Sequence, residues 1–171
     1  MFILGINAFH GDSSACILKD GVLIVAAEEE RFRRIKHWAG FPVESITFCL
    51  EEAGINLTQV DYVTVSRNTK ANFFHKIFHA IRYKISIASI LNRLNNLKRV
   101  SSIKKELSRA FNIPEKEINA KIYNIEHHRS HIASSFFASS FDKSAILSVD
   151  GFGDFTSTMF AFGENQRINV L

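Results

Sequence analysis

Residues 1–27 read MFILGINAFHGDSSACILKDGVLIVAA, and residues 145–162 return to the same rhythm as AILSVDGFGDFTSTMFAF. In the first stretch, short apolar runs rich in β-formers predict strands over residues 2–7, 13–18 and 22–27. A polar loop, Phe9-His10-Gly11-Asp12, separates the first two, and Lys19-Asp20-Gly21 is a hairpin signal between the second and third. In the second stretch the spacing predicts strands over 145–149, 156–162 and 167–171. Placing Asn7 on Asp150 sets Ile3-Leu4 on Ile146-Leu147, Phe9 on Phe152 and Ser13-Ser14 on Thr156-Ser157, with no gap across the loop. Strand, polar residue, turn and hydroxyl-rich strand start recur in one order, which reads as an internal repeat.

Between the two meanders, Pro42 and Val43 begin a helix that runs to Glu52, with Gly54 as its terminating residue. A strand follows over 60–65, then helices over 73–91 and 97–111 closed by Pro114, a strand over 122–125 and a helix over 130–138. A βββαβαβα unit followed by the start of another predicts the α/β, ribonuclease-H-like duplicated fold of actin-like ATPases. Residues 1–143 would form the first lobe, with a basic helical insertion at about 69–112. Residues 144–171 would be the opening strands of an incomplete second lobe. In that fold the two loops that join first and second strands face each other across a phosphate- and metal-binding cleft.

The 171 residues are 46% apolar and 22% charged, ordinary for a globular protein with a real core. No apolar run approaches the roughly 20 residues of a membrane span, and the first residues enter a strand pattern without the order of a signal peptide. Cys16 and Cys49 lie in apolar surroundings far apart, which fits reduced core residues of a cytoplasmic protein. The net charge of +4 is uneven: residues 69–112 carry ten Lys/Arg and one acid, Glu106. Apolar residues at helical spacing there predict amphipathic helices with a solvated basic face, or else a contact with a membrane surface or an anionic glycan. No nucleic-acid recognition motif accompanies the charge. Walker A, dinucleotide, nucleophile-elbow and zinc-finger patterns are missing from the sequence.

Chemistry concentrates in Glu126-His127-His128-Arg129-Ser130-His131. His127 and His131 are four apart, which on a helix places both imidazoles on one face, one turn apart, where they can share one Zn²⁺ or Fe²⁺. A polar helix start with surface histidines would give the same letters. His128 points elsewhere, toward solvent, substrate or phosphate. Asp150 completes a ligand set: it ends an apolar strand and precedes Gly151-Phe152-Gly153, whose glycines let a phosphate or metal approach the backbone. An Asx turn is the plainer reading, and Asp154 stands second in the same loop. In the matching first loop, His10 suits a general base and Ser13 and Ser14 suit phosphate oxygens; a polar hairpin loop is the alternative. Residues 28–37 (EEERFRRIKH) read as a solvated loop or a helix end, or else as an anion site at the cleft mouth formed by their arginines.

ILGINAFHGDSSA (3–15), AAEEERFRRIKH (26–37) with Gly40-Phe41-Pro42, HHRSHIASSFF (127–137) and AILSVDGFG (145–153) together resemble the carbamoyltransferase family that modifies nodulation factors and antibiotics. The resemblance implies a duplicated fold with a divalent metal, Fe²⁺ first and Zn²⁺ or Mn²⁺ after it, on His127, His131 and Asp150. It implies His10 at the transfer site, and phosphate-binding roles around Asp12, Ser13, Ser14, His128, Gly151 and Gly153. It further implies ATP and carbamoyl phosphate as precursors of a carbamoyladenylate, and a hydroxyl-bearing small molecule or glycan as acceptor. Gly11 stands as an insertion against the family pattern, and Asp154 stands where the family often has Glu. The sequence stops at Leu171, before the family's later metal-binding aspartate and its adenylate-forming domain. The chain is therefore expected to be inactive alone and to need a C-terminal remainder or a second chain. A sugar-kinase-like phosphotransferase or a non-catalytic binding module on the same fold are the other readings. The paired histidines argue against the kinase, which works with carboxylates and Mg²⁺.

Overall fold

A computed structural model of the chain describes residues 1–68, 71–72, 78, 82 and 103–171. The helix expected over 73–91, and most of the basic segment, fall outside the described residues. The chain divides into two compact units. One comprises Met1–Ser66 and the described residues from 103 to Asn124. The other comprises the described residues between Arg67 and Ile85 together with Ile125–Leu171. The break thus falls before the His-rich helix and not at 143, because that helix packs on the strands that follow it.

In the first unit, β1 (Phe2–Asn7), β2 (Ser14–Lys19) and β3 (Val22–Glu28) form the antiparallel meander. Asp20 and Gly21 both take positive φ, 52° and 85°, which lets a two-residue turn follow the strand twist. β4 (Tyr62–Val65) adds in parallel beside β1, and β5 (Lys121–Asn124) in parallel beside β4, giving the order β3-β2-β1-β4-β5. Alternation puts Leu4, Ile6, Ala15, Ile17, Val63 and Val65 on one buried face. That face packs against α2 (Val43–Glu52) through Ile46, Cys49 and Leu50, and against α3 (Ile103–Phe111) through Ile103 and Leu107. β4 begins two residues later than expected. A capping box between Asn56 and Gln59 winds Leu57–Gln59 into a 3₁₀ turn first. Both cysteines are free thiols, and burial pushes Cys49 up to about 12.

The charged segment after β3 is not a plain loop. It contains α1 (Glu30–Arg33), a single turn ended by Arg34 at φ 57°. Glu29 is 0% exposed. Its carboxylate accepts from the Ser45 N–H (2.8 Å), the Ser45 hydroxyl (2.9 Å), the Glu44 N–H (3.2 Å) and Arg33 Nε (2.7 Å). Glu44 and Ser45 lie in the first turn of α2, so Glu29 caps that helix from a distant segment and meets its positive end. Arg33 also lies 4.6 Å from the Trp38 ring centroid. It is thus occupied within the unit, whereas Arg31 and Arg34 are exposed.

In the second unit, α4 (His127–Phe137) covers one face of an antiparallel sheet of β6 (Lys143–Gly153), β7 (Thr156–Glu164) and β8 (Arg167–Val170). The core is Ile132 and Phe136 of α4 with Ile146 and Ala161 of the sheet. Gly163 permits this closeness, since a Cβ there would lie 2.6 Å from the Phe136 ring. Leu147, Val149 and Phe160 point to the other face and are exposed. β6 continues through Asp150 to Gly153, beyond the expected end at 149. The two hairpins pair alike: Ile3 opposes Leu18 and Ile146 opposes Ala161, the first pair displaced by the offset that sets Asn7 on Asp150. The third strands differ, because β7 runs two residues further before its turn.

Candidate metal centre

α4 starts at His127, three residues before the expected start, and the cause is tertiary. The Asp154 carboxylate accepts from the His127 N–H at 3.0 Å and from the Asn68 N–H at 2.7 Å. No side chain of the preceding residue, Glu126, caps the helix. Asp154 takes φ 49° and Phe155 φ 70°, a left-handed pair that turns β6 into β7 and aims the carboxylate back at the helix. Asp154 is therefore a cap and does not join the candidate ligands. Asp154→Ala is expected to cost about 1–2 kcal/mol through the lost cap and the strained φ, read from chemical denaturation of the full chain.

One turn apart on α4, His127 and His131 bring their Nε2 atoms to 3.0 Å. Asp150 Oδ2 lies 2.6 Å from the first and 3.5 Å from the second. The three ligand atoms all fall within 4.8 Å of one another. His127 hydrogen-bonds the Asp150 carboxylate and the Gly151 N–H donates to it at 2.6 Å, which together hold its pKa down at about 2. Burial, and then the neighbouring His127, lower that of His131. At neutral pH Asp150 is thus a carboxylate and His131 a neutral imidazole, the protonation states a metal ligand needs. Two imidazole nitrogens and one carboxylate oxygen converging at this spacing fit a borderline divalent cation such as Zn²⁺ or Fe²⁺.

Gly153 makes the arrangement possible. A Cβ at that position would overlap Cβ, Cγ and Cδ2 of His127. The sequence suggested a glycine that admits phosphate; the structure shows one that admits an imidazole. The Gly151 N–H, likewise, is already taken by Asp150.

His128 is the clearest correction. It is fully buried, with Nδ1 2.8 Å from Ser148 Oγ and Nε2 2.9 Å from the Thr156 carbonyl. It faces neither solvent nor a ligand, because an imidazole one residue on from a site-facing one points about 100° around the helix, here into the sheet. Ser13 is corrected in the same way. It is buried, and its hydroxyl lies 2.8 Å from the Gly40 carbonyl and 3.1 Å from that of His10, so it ties two loops together. Ser14 is half-buried in β2 opposite Asn7. His10 is exposed, with Nδ1 3.3 Å from the Gly11 carbonyl. Asp12, at φ 60°, places its carboxylate 2.8 Å from Nδ1 of His37, a partnership that nothing in the spacing of the two residues signals.

Comparison with solved structures defines the class first. The chain is similar in fold to YeaZ from Pseudomonas aeruginosa, with a TM-score of 0.50 at 12% identity over 99% of this chain and 63% of that one. It is similar also to HypF of T. kodakarensis, with a TM-score of 0.53 at 10% identity over 99% of this chain and 18% of that one. Both have the actin-like, ribonuclease-H-like ATPase type of fold, and the mixed α/β chain shares it. Residues 2–171 match the family model described as carbamoyltransferase N-terminus, and the chain belongs to that family. It is 36% identical to the protein sll1178 of Synechocystis sp. over 97% of its length and 28% of that protein. It is 34% identical to nodulation protein NolNO of Sinorhizobium fredii over 96% of its length and 23% of that protein. The chain thus spans about a quarter of the length of these relatives. Among the described residues no helix is long and apolar enough to cross a membrane.

Proposed function

We propose that His127, His131 and Asp150 hold a divalent metal, Fe²⁺ first and Zn²⁺ or Mn²⁺ as alternatives, and that the chain serves the transfer of a carbamoyl group to a substrate hydroxyl. The convergence of these three ligand atoms in a member of the carbamoyltransferase N-terminus family carries the reading. The donor is a carbamoyladenylate made from carbamoyl phosphate and ATP, and the acceptor is a small molecule or glycan, whose hydroxyl oxygen bonds to the carbamoyl carbon as the bond to the phosphate oxygen breaks and AMP leaves. When bound, the metal supplies Lewis-acid polarisation and charge neutralisation for phosphate and carbonyl oxygens. The chain's own residues do the rest. His10, exposed in the β1–β2 loop, accepts the hydroxyl proton; Asp12 and Ser14 remain candidates for phosphate contact in that loop. The shared register of the two hairpins supports reading them as the opening strands of related lobes. A site within the cytoplasm fits this chemistry, and the basic segment is a candidate contact for an anionic glycan or membrane surface.

The full chain is expected to retain close to one Fe²⁺ or Zn²⁺ per molecule, falling to background in His127→Ala, as measured by metal analysis after dialysis. A native chain without metal sinks the transferase reading and favours a binding module. Proton competition at His131 should set in only below the ordinary imidazole pKa of about 6.5, because burial and the neighbouring His127 lower its pKa in the fold, as a pH series of the same metal analysis would show. Because the chain covers about a quarter of its relatives, we propose that turnover needs the remaining portion in cis or from a second chain. The isolated chain given ATP, carbamoyl phosphate and an acceptor should form no carbamoylated product, whereas steady turnover would overturn this.

A further inference from the structure

We propose that His128, which cannot itself reach a metal, is a positioning residue for the candidate centre, clamping α4 to both strands that flank the Asp150 loop. The inference rests on the metal-centre reading. It starts from an anomaly of burial: an imidazole 0% exposed in a helix whose adjacent His127 and later His131 face the site. A buried polar ring is retained without penalty only if both nitrogens are satisfied. Here they are satisfied by two different strands. The Thr156 carbonyl can only accept, so Nε2 carries a proton and donates to it across 2.9 Å. Nδ1 pairs across 2.8 Å with the Ser148 hydroxyl, which can donate or accept.

The two partners are placed informatively. Ser148 lies on β6 two residues before Asp150, on the same face of the strand. Thr156 opens β7, two residues after Asp154, which holds the His127 N–H. His128 therefore grips the chain on both sides of the segment that supplies one ligand and the cap of another. Ile132 and Phe136 pack α4 on Ile146 and Ala161 of the sheet through contacts that have no directional preference. Two hydrogen bonds one residue from His127 add the direction that apolar packing lacks. A 2.6 Å approach of His127 Nε2 to Asp150 requires such control.

The test uses the full chain, Co²⁺ as probe and four variants. His128→Leu deletes both hydrogen bonds at similar volume, and Ser148→Ala deletes one with little change of packing. His128→Gln keeps a donor toward Thr156, and His131→Ala is the ligand control. Co²⁺ affinity should fall about 10- to 100-fold in His128→Leu, fall less in Ser148→Ala, and recover in part in His128→Gln, while all three still melt cooperatively. His128→Leu binding as tightly as the parent overturns the proposal. Should His128→Leu fail to fold, Ser148→Ala decides, and unchanged affinity there overturns it. Nitrogen-15 imidazole spectra of the metal-free chain separate the two readings. A parent that binds no Co²⁺ refutes the metal centre. The positioning role is then judged on His127, whose hydrogen-bonded ring signal should be present in the parent and lost in His128→Leu. An unchanged His127 signal overturns it.

Discussion

Replacing Gly153 by alanine is expected to lower Co²⁺ affinity at the proposed centre by about 10- to 100-fold, although the new methyl group is itself no ligand. The added carbon would occupy the space of the His127 ring, overlapping Cγ and Cδ2. The ring has little room to yield. Its backbone N–H is held by Asp154, and the next residue is anchored in the sheet through Ser148 and Thr156. The remaining response is rotation of the imidazole away from Asp150, which separates the two ligand atoms now 2.6 Å apart. Overpacking of this kind also costs about 1–3 kcal/mol of stability, so Co²⁺ titration should be paired with a melting curve. Parent-like affinity in Gly153→Ala would mean that α4 shifts as a body and that the centre tolerates displacement.

The largest stability effect is expected from Glu29→Ala, about 3–5 kcal/mol, a fall of roughly 10 °C in melting temperature for a chain of this size. The substitution strands the first-turn N–H groups of α2 and leaves Arg33 half-buried without its closest carboxylate. Burial raises the Glu29 pKa, but the Ser45 N–H, Arg33, the Ser45 hydroxyl and the Glu44 N–H outweigh it and hold the folded value below the ordinary one. Its stabilisation is therefore complete above the unfolded value of about 4.3 and is lost as the pH falls through the lower folded value. Glu29→Ala should accordingly lose less stability than the parent between neutral pH and that acid range. Parallel pH–stability curves for the two proteins would show that the carboxylate carries no such linkage.

How much of this was legible in the sequence follows from the range of each interaction. The first meander, α2 and its Gly54 terminus are written in local periodicity and turn chemistry, and their bounds agree to within a residue or two, whereas β6 runs four residues past its expected end. The spacing of His127 and His131 and the position of Asp150 at a strand end likewise named a group whose atoms the fold gathers. What escaped was set by residues distant in sequence. The cap that starts α4 at His127 comes from Asp154, and the cap of α2 comes from Glu29, which was read as solvated because charged triplets usually are. The direction of His128 was open to helical geometry alone, since neighbours on a helix cannot share a face. Its two partners were not, because they depend on which strands pass beneath.

Ile146, Ser148 and Asp150 share the side of β6 that meets α4, and Leu147 and Val149 share the other. Which side the acid shows is thus a matter of parity. A slip of β6 by one residue against β7 would exchange the two sets and carry the carboxylate to the far surface of the sheet. Shifts of register between these strands are compatible with the histidines only in steps of two, a constraint on how such chains can vary that no single side chain expresses.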